Sequence, residues 1–288
     1  MATYWNALKN AVTDFFGDRG FVWAAALAFY AALSFAPLVM LTLYATAQMG
    51  EGVQDQVVAQ FGDLLGDAAG DTLDEVIANA EKKESSGLLA TAISIGVLLF
   101  SASGVFGQLQ AALNAIWEVE PKPGNSILAF LRSRLLSLGM IGSLLFLLLV
   151  SLAASTVLNA VLDGFGLAMF ANQAVTLVVY FGLFAVMYKL LPDVKLGWRD
   201  TLLGAAVTAV LFAIGKAAIG VYLGRAAVGS SYGAAGSLMA LLVWVYYASV
   251  VVLFGAELTQ SLFREFDKQI RPSDHAVKVP SEKDAMKA

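Results

Sequence analysis

Ser237-Leu-Met-Ala-Leu-Leu-Val-Trp244-Val-Tyr-Tyr-Ala-Ser-Val250-Val-Val-Leu-Phe-Gly-Ala-Glu257-Leu258 carries a single carboxylate, Glu257, and no basic residue. About 20 apolar residues are what a helix needs to cross the hydrocarbon core of a bilayer. Five further runs of this kind lie upstream: Phe21 to Met49, Gly87 to Phe106, Leu135 to Leu158, Leu167 to Leu191 and Leu202 to Tyr222. In lipid, a spanning backbone satisfies its own polar groups only as a helix or a closed barrel. The runs are too uniformly apolar for the alternating strands of a barrel. The chain therefore predicts an all-α, polytopic bundle of six transmembrane helices. Its 59 % hydrophobic content agrees.

The loops between the runs alternate in charge. Lys9 and Arg19 precede the first run, and Lys122, Arg132 and Arg134 follow the second. Lys189, Lys195 and Arg199 flank the turn from the fourth to the fifth, and Arg264, Lys268, Arg271, Lys278, Lys283 and Lys287 follow the sixth. The opposite side has only Lys82, Lys83 and Arg225. Basic residues stay in the cytoplasm, so both termini are expected inside. The first outer loop, Gly50 to Ser86, is acidic, with nine carboxylates against two lysines. The net charge of −4 therefore hides a basic cytoplasmic face. These features place the chain in a bacterial inner membrane as a multi-pass protein. The first apolar run exceeds the core of a cleaved signal peptide and reads as a retained signal-anchor.

Three parts follow: a cytoplasmic amphipathic segment (1–20), the six-helix domain (21–266) and a flexible cytoplasmic tail (267–288). Thr3 to Phe16 places Trp5, Leu8, Val12, Phe15 and Phe16 on one helical face, which suits a helix on the inner membrane surface or one packed on the protein's own base. Within the outer loop, apolar residues from Val53 to Ala80 recur at helical spacing and predict two short amphipathic helices. The helix after the second run is expected to end near Glu118, ahead of Pro121 and Pro123. Trp117 and Trp198 read as interface anchors.

Ionisable and polar groups inside the runs are the first candidates for function. Lys216 either snorkels to the outer headgroups or lines a cavity that receives an anionic group. Glu257 either pairs with Arg132, Arg134 or Arg199 or serves as a gate or coupling residue. Tyr30 and Ser34 share a face of the first span, one turn apart. They either line a cavity, with Tyr232, or make purely structural contacts. Pro37 predicts a bend in that span. Gly220 with Gly224, and Gly229 with Gly233, form small-residue ladders that suit close helix packing or a gate. With no cysteine there are no disulfides, thiol nucleophiles or thiolate metal sites. No catalytic residue, metal site or cofactor is expected. The expected partners are membrane lipids, an anionic small-molecule or lipid substrate, and a second copy of the chain, but not nucleic acid.

Four segments resemble a known family: Ala25-Ala-Leu-Ala-Phe-Tyr30-Ala-Ala-Leu-Ser34-Phe-Ala-Pro37, Ala112-Leu-Asn114-Ala-Ile-Trp, the stretch from Tyr232-Gly233-Ala-Ala-Gly236 through Trp244 and Tyr246, and Leu253-Phe-Gly255-Ala256-Glu257-Leu258. Together the chain resembles the YihY/virulence factor BrkB family of bacterial inner-membrane proteins, over roughly Phe16 to Phe266. The resemblance implies six transmembrane helices and a role at the cell envelope, with export or lipid handling proposed for some members. The family's former label, ribonuclease BN, is at odds with these residues. The chain has one histidine, His275, and lacks the His/Asp cluster that a metal-dependent nuclease needs. A transporter or exporter of an anionic or amphiphilic small molecule or lipid is the expectation. The alternative is a scaffold that binds a partner through its outer helices.

Overall fold

A computed structural model describes residues 2–47, 104–122, 168–225 and 234–279. They are mostly helical. α1 covers Ala2–Gly17, α2 Gly20–Ala47, and α3 residues 104–116. α4 covers Ala168–Leu190, α5 Trp198–Arg225 and α6 Ala234–Glu265. Two short strands, β1 (Val119–Pro121) and β2 (Ala276–Lys278), pair antiparallel with Val119 opposite Lys278.

Four of the six predicted runs are thus observed as helices. Gly87 to Phe106 lies outside the described residues up to 103, and Leu135 to Leu158 lies wholly outside, as do the predicted helices of the outer loop. Among the described residues, three helices are long and apolar enough to cross a membrane: Asn172–Leu190, Trp198–Ile219 and Leu241–Glu265. α2 adds an apolar stretch, Gly20–Leu33, and its backbone stays helical through Pro37 to Ala47 without a charged residue.

The helix ends follow local chemistry. Asp200 Oδ2 accepts the Gly197 N–H at 2.9 Å at the start of α5, one half of a capping box. Three non-glycine residues close helices in the left-handed region: Arg19 after α1, Glu118 after α3 and Asp267 after α6 (φ 57°, 54° and 53°).

The chain divides into two compact units. The first comprises Met1–Ala24, Gly107–Phe212 and Val250–Ala288, and the second Ala25–Phe106 and Ala213–Ser249. Within the first unit, α1 lays Ala7 and Ala11 against Leu258 and Leu262 of α6, flanked by Val207 and Phe254. Within the second, the Tyr30 ring covers Gly104, and the Tyr247 ring sits where a Cβ on Gly215 would be.

Three expectations change. α6 runs seven residues past Leu258, because Thr259, Gln260 and Ser261 are buried by protein although their polarity ended the apolar run. Trp117 is no interface anchor: it is 1 % exposed, edge-on to Phe263 at 5.6 Å, because α3 ends against α6. Trp198, 52 % exposed, remains free for that role. Residues 267–279, read as part of a flexible tail, are tied down by main-chain pairing. Lys195 N donates to Arg271 O, Ser273 N to Asp193 O, Lys122 N to His275 O and Val279 N to Glu118 O. A polar segment needs no core of its own when another strand accepts its backbone bonds.

Candidate functional site

Most buried helices in a protein are apolar. The basic end of α6 is not. Residues 255–263 are buried at every position, so no face of the helix reaches the surface there. Four of them are polar: Glu257, Thr259, Gln260 and Ser261. Glu257 is 1 % exposed.

The elements around this segment are held by specific contacts. Gly204 and Thr208 of α5 face Thr259 and Gly255 of α6 in a reciprocal exchange. A Cβ on Gly204 would lie 1.8 Å from Thr259 Oγ1, and one on Gly255 would lie 1.8 Å from Thr208 Oγ1. Each glycine therefore receives the other helix's threonine, and the two helices run antiparallel. Both hydroxyls donate back to their own helix, Thr208 to Gly204 O and Thr259 to Gly255 O, each at 2.7 Å. α4 adds Tyr188, whose hydroxyl meets Thr208 Oγ1 at 2.8 Å and donates to Val252 O at 2.7 Å. From α3, Ile116 O accepts from Gln260 Nε2, and Gln260 Oε1 in turn accepts from Arg264. Arg264 also reaches Asp14 of α1 at 3.4 Å and Glu118 at 3.8 Å.

A second polar cluster lies in the same unit. Asp193, buried in the loop between α4 and α5, accepts from Asn114 Nδ2 at 2.9 Å and from His275 Nε2 at 2.8 Å. Its own N–H donates to Asn114 Oδ1 at 2.7 Å. Gln110 lies at 3.4 Å from both carboxylate oxygens. Outside this cluster, Asp274 pairs with Lys195. The hydrogen bond from Lys195, and then its charge, hold the Asp274 carboxyl below its ordinary value. Lys268 binds Asp200 at the start of α5 and lies over the Phe263 ring.

These contacts join α1, the segment after α3, the α4–α5 loop and the segment after α6. The charge pattern assigned those four segments to one side of the membrane.

Glu257 belongs to the first unit, and Tyr30 and Lys216 to the second. Tyr30 is 39 % exposed and edge-on to Phe29. Lys216 is half-buried, one residue after the Gly215 that carries the Tyr247 ring. Ser34 and Pro37 lie in the helical backbone of α2, and Gly220 and Gly224 in that of α5, with side-chain surroundings outside the description. Tyr232, Gly229 and Gly233, like Arg132 and Arg134, lie outside the described residues. The residues that build the α4–α5–α6 contact beside this segment were missed: Tyr188, Thr208, Thr259, Gln260 and both glycines. The matching Gly-x-x-x-Thr spacings at 204–208 and 255–259 were the available signal.

The sequence profile of the virulence factor BrkB family matches residues 11–280. The chain belongs to this family. It is 30 % identical to a UPF0761 membrane protein of Photobacterium profundum over 258 residues, 85 % of this chain and 77 % of that one. It is 29 % identical to a UPF0761 membrane protein of Aliivibrio salmonicida over 272 residues, 90 % of this chain and 83 % of that one. A UPF0761 membrane protein of Rhodospirillum centenum is 28 % identical over 271 residues, 88 % of this chain and 57 % of that one. No solved structure matches the chain.

Proposed function

We propose that this BrkB-family membrane protein is a multi-pass transporter of the bacterial inner membrane, with its basic face in the cytoplasm. It moves an anionic or amphiphilic small molecule or lipid outward, and Glu257 acts as gate or coupling residue. The observation that carries this reading is the burial of Glu257 together with Thr259, Gln260 and Ser261 in a helix of membrane-crossing length. A membrane helix kept only for stability gains nothing from a buried carboxylate. Apolar residues of similar volume would hold the position at lower cost, and ionisable groups at such positions mark transport pathways and proton relays. The α5–α6 contact supports a moving part. Thr208 and Thr259 bond to their own helices, so these hydroxyls do not lock one helix to the other. Tyr188 is the cross-link that would have to yield.

The test is transport in proteoliposomes holding a fluorescent anionic phospholipid and an imposed pH gradient. Wild-type protein is expected to move the lipid, and Glu257→Gln to abolish the pH-dependent part at unchanged protein level. Wild-type rates in Glu257→Gln would remove the residue from the mechanism. The orientation has its own check, because the chain has no cysteine. A single cysteine at Ala288 should be protected from an impermeant thiol reagent added to intact cells, and one at Asp71 should react.

A further inference from the structure

α1 has three sides. At about 100° per residue, its positions fall into three successive sectors. The first, Ala7, Ala11, Asp14 and Phe15, is buried. It is fixed there by the packing on Leu258 and Leu262 and by the Arg264–Asp14 pair. The second sector holds Leu8, Val12, Trp5 and Phe16, all apolar or aromatic and all exposed, Trp5 at 58 % and Phe16 at 66 %; Tyr4, exposed at the first turn, stands edge-on to Phe266. The third holds Lys9, Thr13, Asn6 and Asn10, polar and exposed. A helix between protein and water alone needs two sectors. An exposed apolar sector between a packed one and a wet one calls for a third medium.

We propose that this medium is lipid: α1 lies in the headgroup–acyl boundary of the leaflet at the protein's basic end, with Trp5, Leu8, Val12 and Phe16 in the lipid. Three observations favour lipid over a protein partner. Only Asp18 and Arg19 separate α1 from the 28-residue, charge-free α2, which places the end of α1 at the membrane surface. Phe15 packs on Gly20 so closely that a Cβ there would lie 2.4 Å from the ring, which sets this corner. Lys9 sits at the border of the apolar and polar sectors, its Nζ 5.2 Å from the Trp5 ring. A cation and an indole at that border match the phosphate and glycerol levels of an anionic leaflet.

The test uses the full chain with single cysteines carrying a nitroxide at Leu8, Val12 or Thr13, reconstituted in vesicles of phosphatidylethanolamine and phosphatidylglycerol. All three positions are exposed, so labelling leaves the packed sector intact; gel filtration in detergent verifies each variant. Labels at Leu8 and Val12 should be severalfold more accessible to oxygen than to an aqueous nickel chelate, with the order reversed at Thr13. Equal chelate access at Val12 and Thr13 would overturn the proposal. So would spin–spin broadening between copies at Val12, because a second chain would then be the occupant. The measurement needs no transport activity, so it fails or succeeds independently of the role of Glu257.

Discussion

The two halves of α6 use their residues in opposite ways. From Leu241 to Phe254 the helix is almost wholly apolar, and much of it is half-buried or exposed. From Gly255 to Phe263 it is rich in polar groups, and all of it is buried. In water the polar half would face out. Here hydropathy does not decide which half is enclosed. The apolar half can be left to lipid at no cost, whereas the polar half must be wrapped in partners. The difference teaches that, in this protein, enclosure follows hydrogen-bonding need.

Glycine substitutions put the largest strain on that comparison. Gly255→Leu should abolish the folded species, because its Cβ alone overlaps Thr208 Oγ1 and Tyr188 Oη. Gly215→Ala, against the Tyr247 ring, should cost about 1–3 kcal/mol, since a ring can swing aside. Gly182→Ala, with nothing within 4 Å, should be neutral. Thermal melts in detergent would rank them, and equal melting temperatures would break the contrast.

Asp193→Ala comes next. It strands the buried Asn114 amide and removes the partner of the half-exposed His275 ring, a loss of about 1–3 kcal/mol set mainly by the buried amide left unsatisfied. Hydrogen exchange should show amides 276–278 losing protection first, with α6 unchanged. Simultaneous loss in α6 would mean the two clusters are one cooperative unit. Tyr188→Phe should cost less, about 0.6–1.7 kcal/mol, the range for hydrogen bonds between membrane helices. A melt shift as large as that of Gly215→Ala would show that Tyr188 contributes more than its bonds.

The smallest effect is one of pH. The hydrogen bond from Lys195 holds the carboxyl of Asp274 below its ordinary value of 3.8. A lowered carboxylate stabilises the fold above its unfolded value and loses that contribution as pH falls through the folded value. Protection of β2 should thus be insensitive to this pair from neutral pH down to about 5 and weaken only below the ordinary carboxylate range. Lys195→Met should remove that acid-range step. Because Asp274 is exposed, the step should be slight.

Hydropathy made the spans at α2, α4, α5 and α6 legible, because a long apolar run has one stable solution in lipid. It misjudged where α6 ends, since Thr259, Gln260 and Ser261 are satisfied by neighbours that no local window contains. It also misjudged Trp117, whose burial depends on Phe263. Glu257 stood out as the carboxylate inside a span, but the packing of the buried polar segment beside it did not, because Tyr188, Thr208 and Thr259 come from separate helices. The pairing of β2 was illegible for the same reason: Val119 and Lys278 are separated in the sequence by α4, α5 and α6.

That pairing also sets an order of events during synthesis. Helices insert as they leave the ribosome, and long-range contacts form after local ones. Asn114 and Asp193 must wait for His275, Glu118 for Val279, and Lys195 for Asp274. The segment after α6 therefore supplies, once the helices have been made, the bonds that close the basic end. A chain cut short before Pro272 should insert its helices yet leave Asp193 without its histidine.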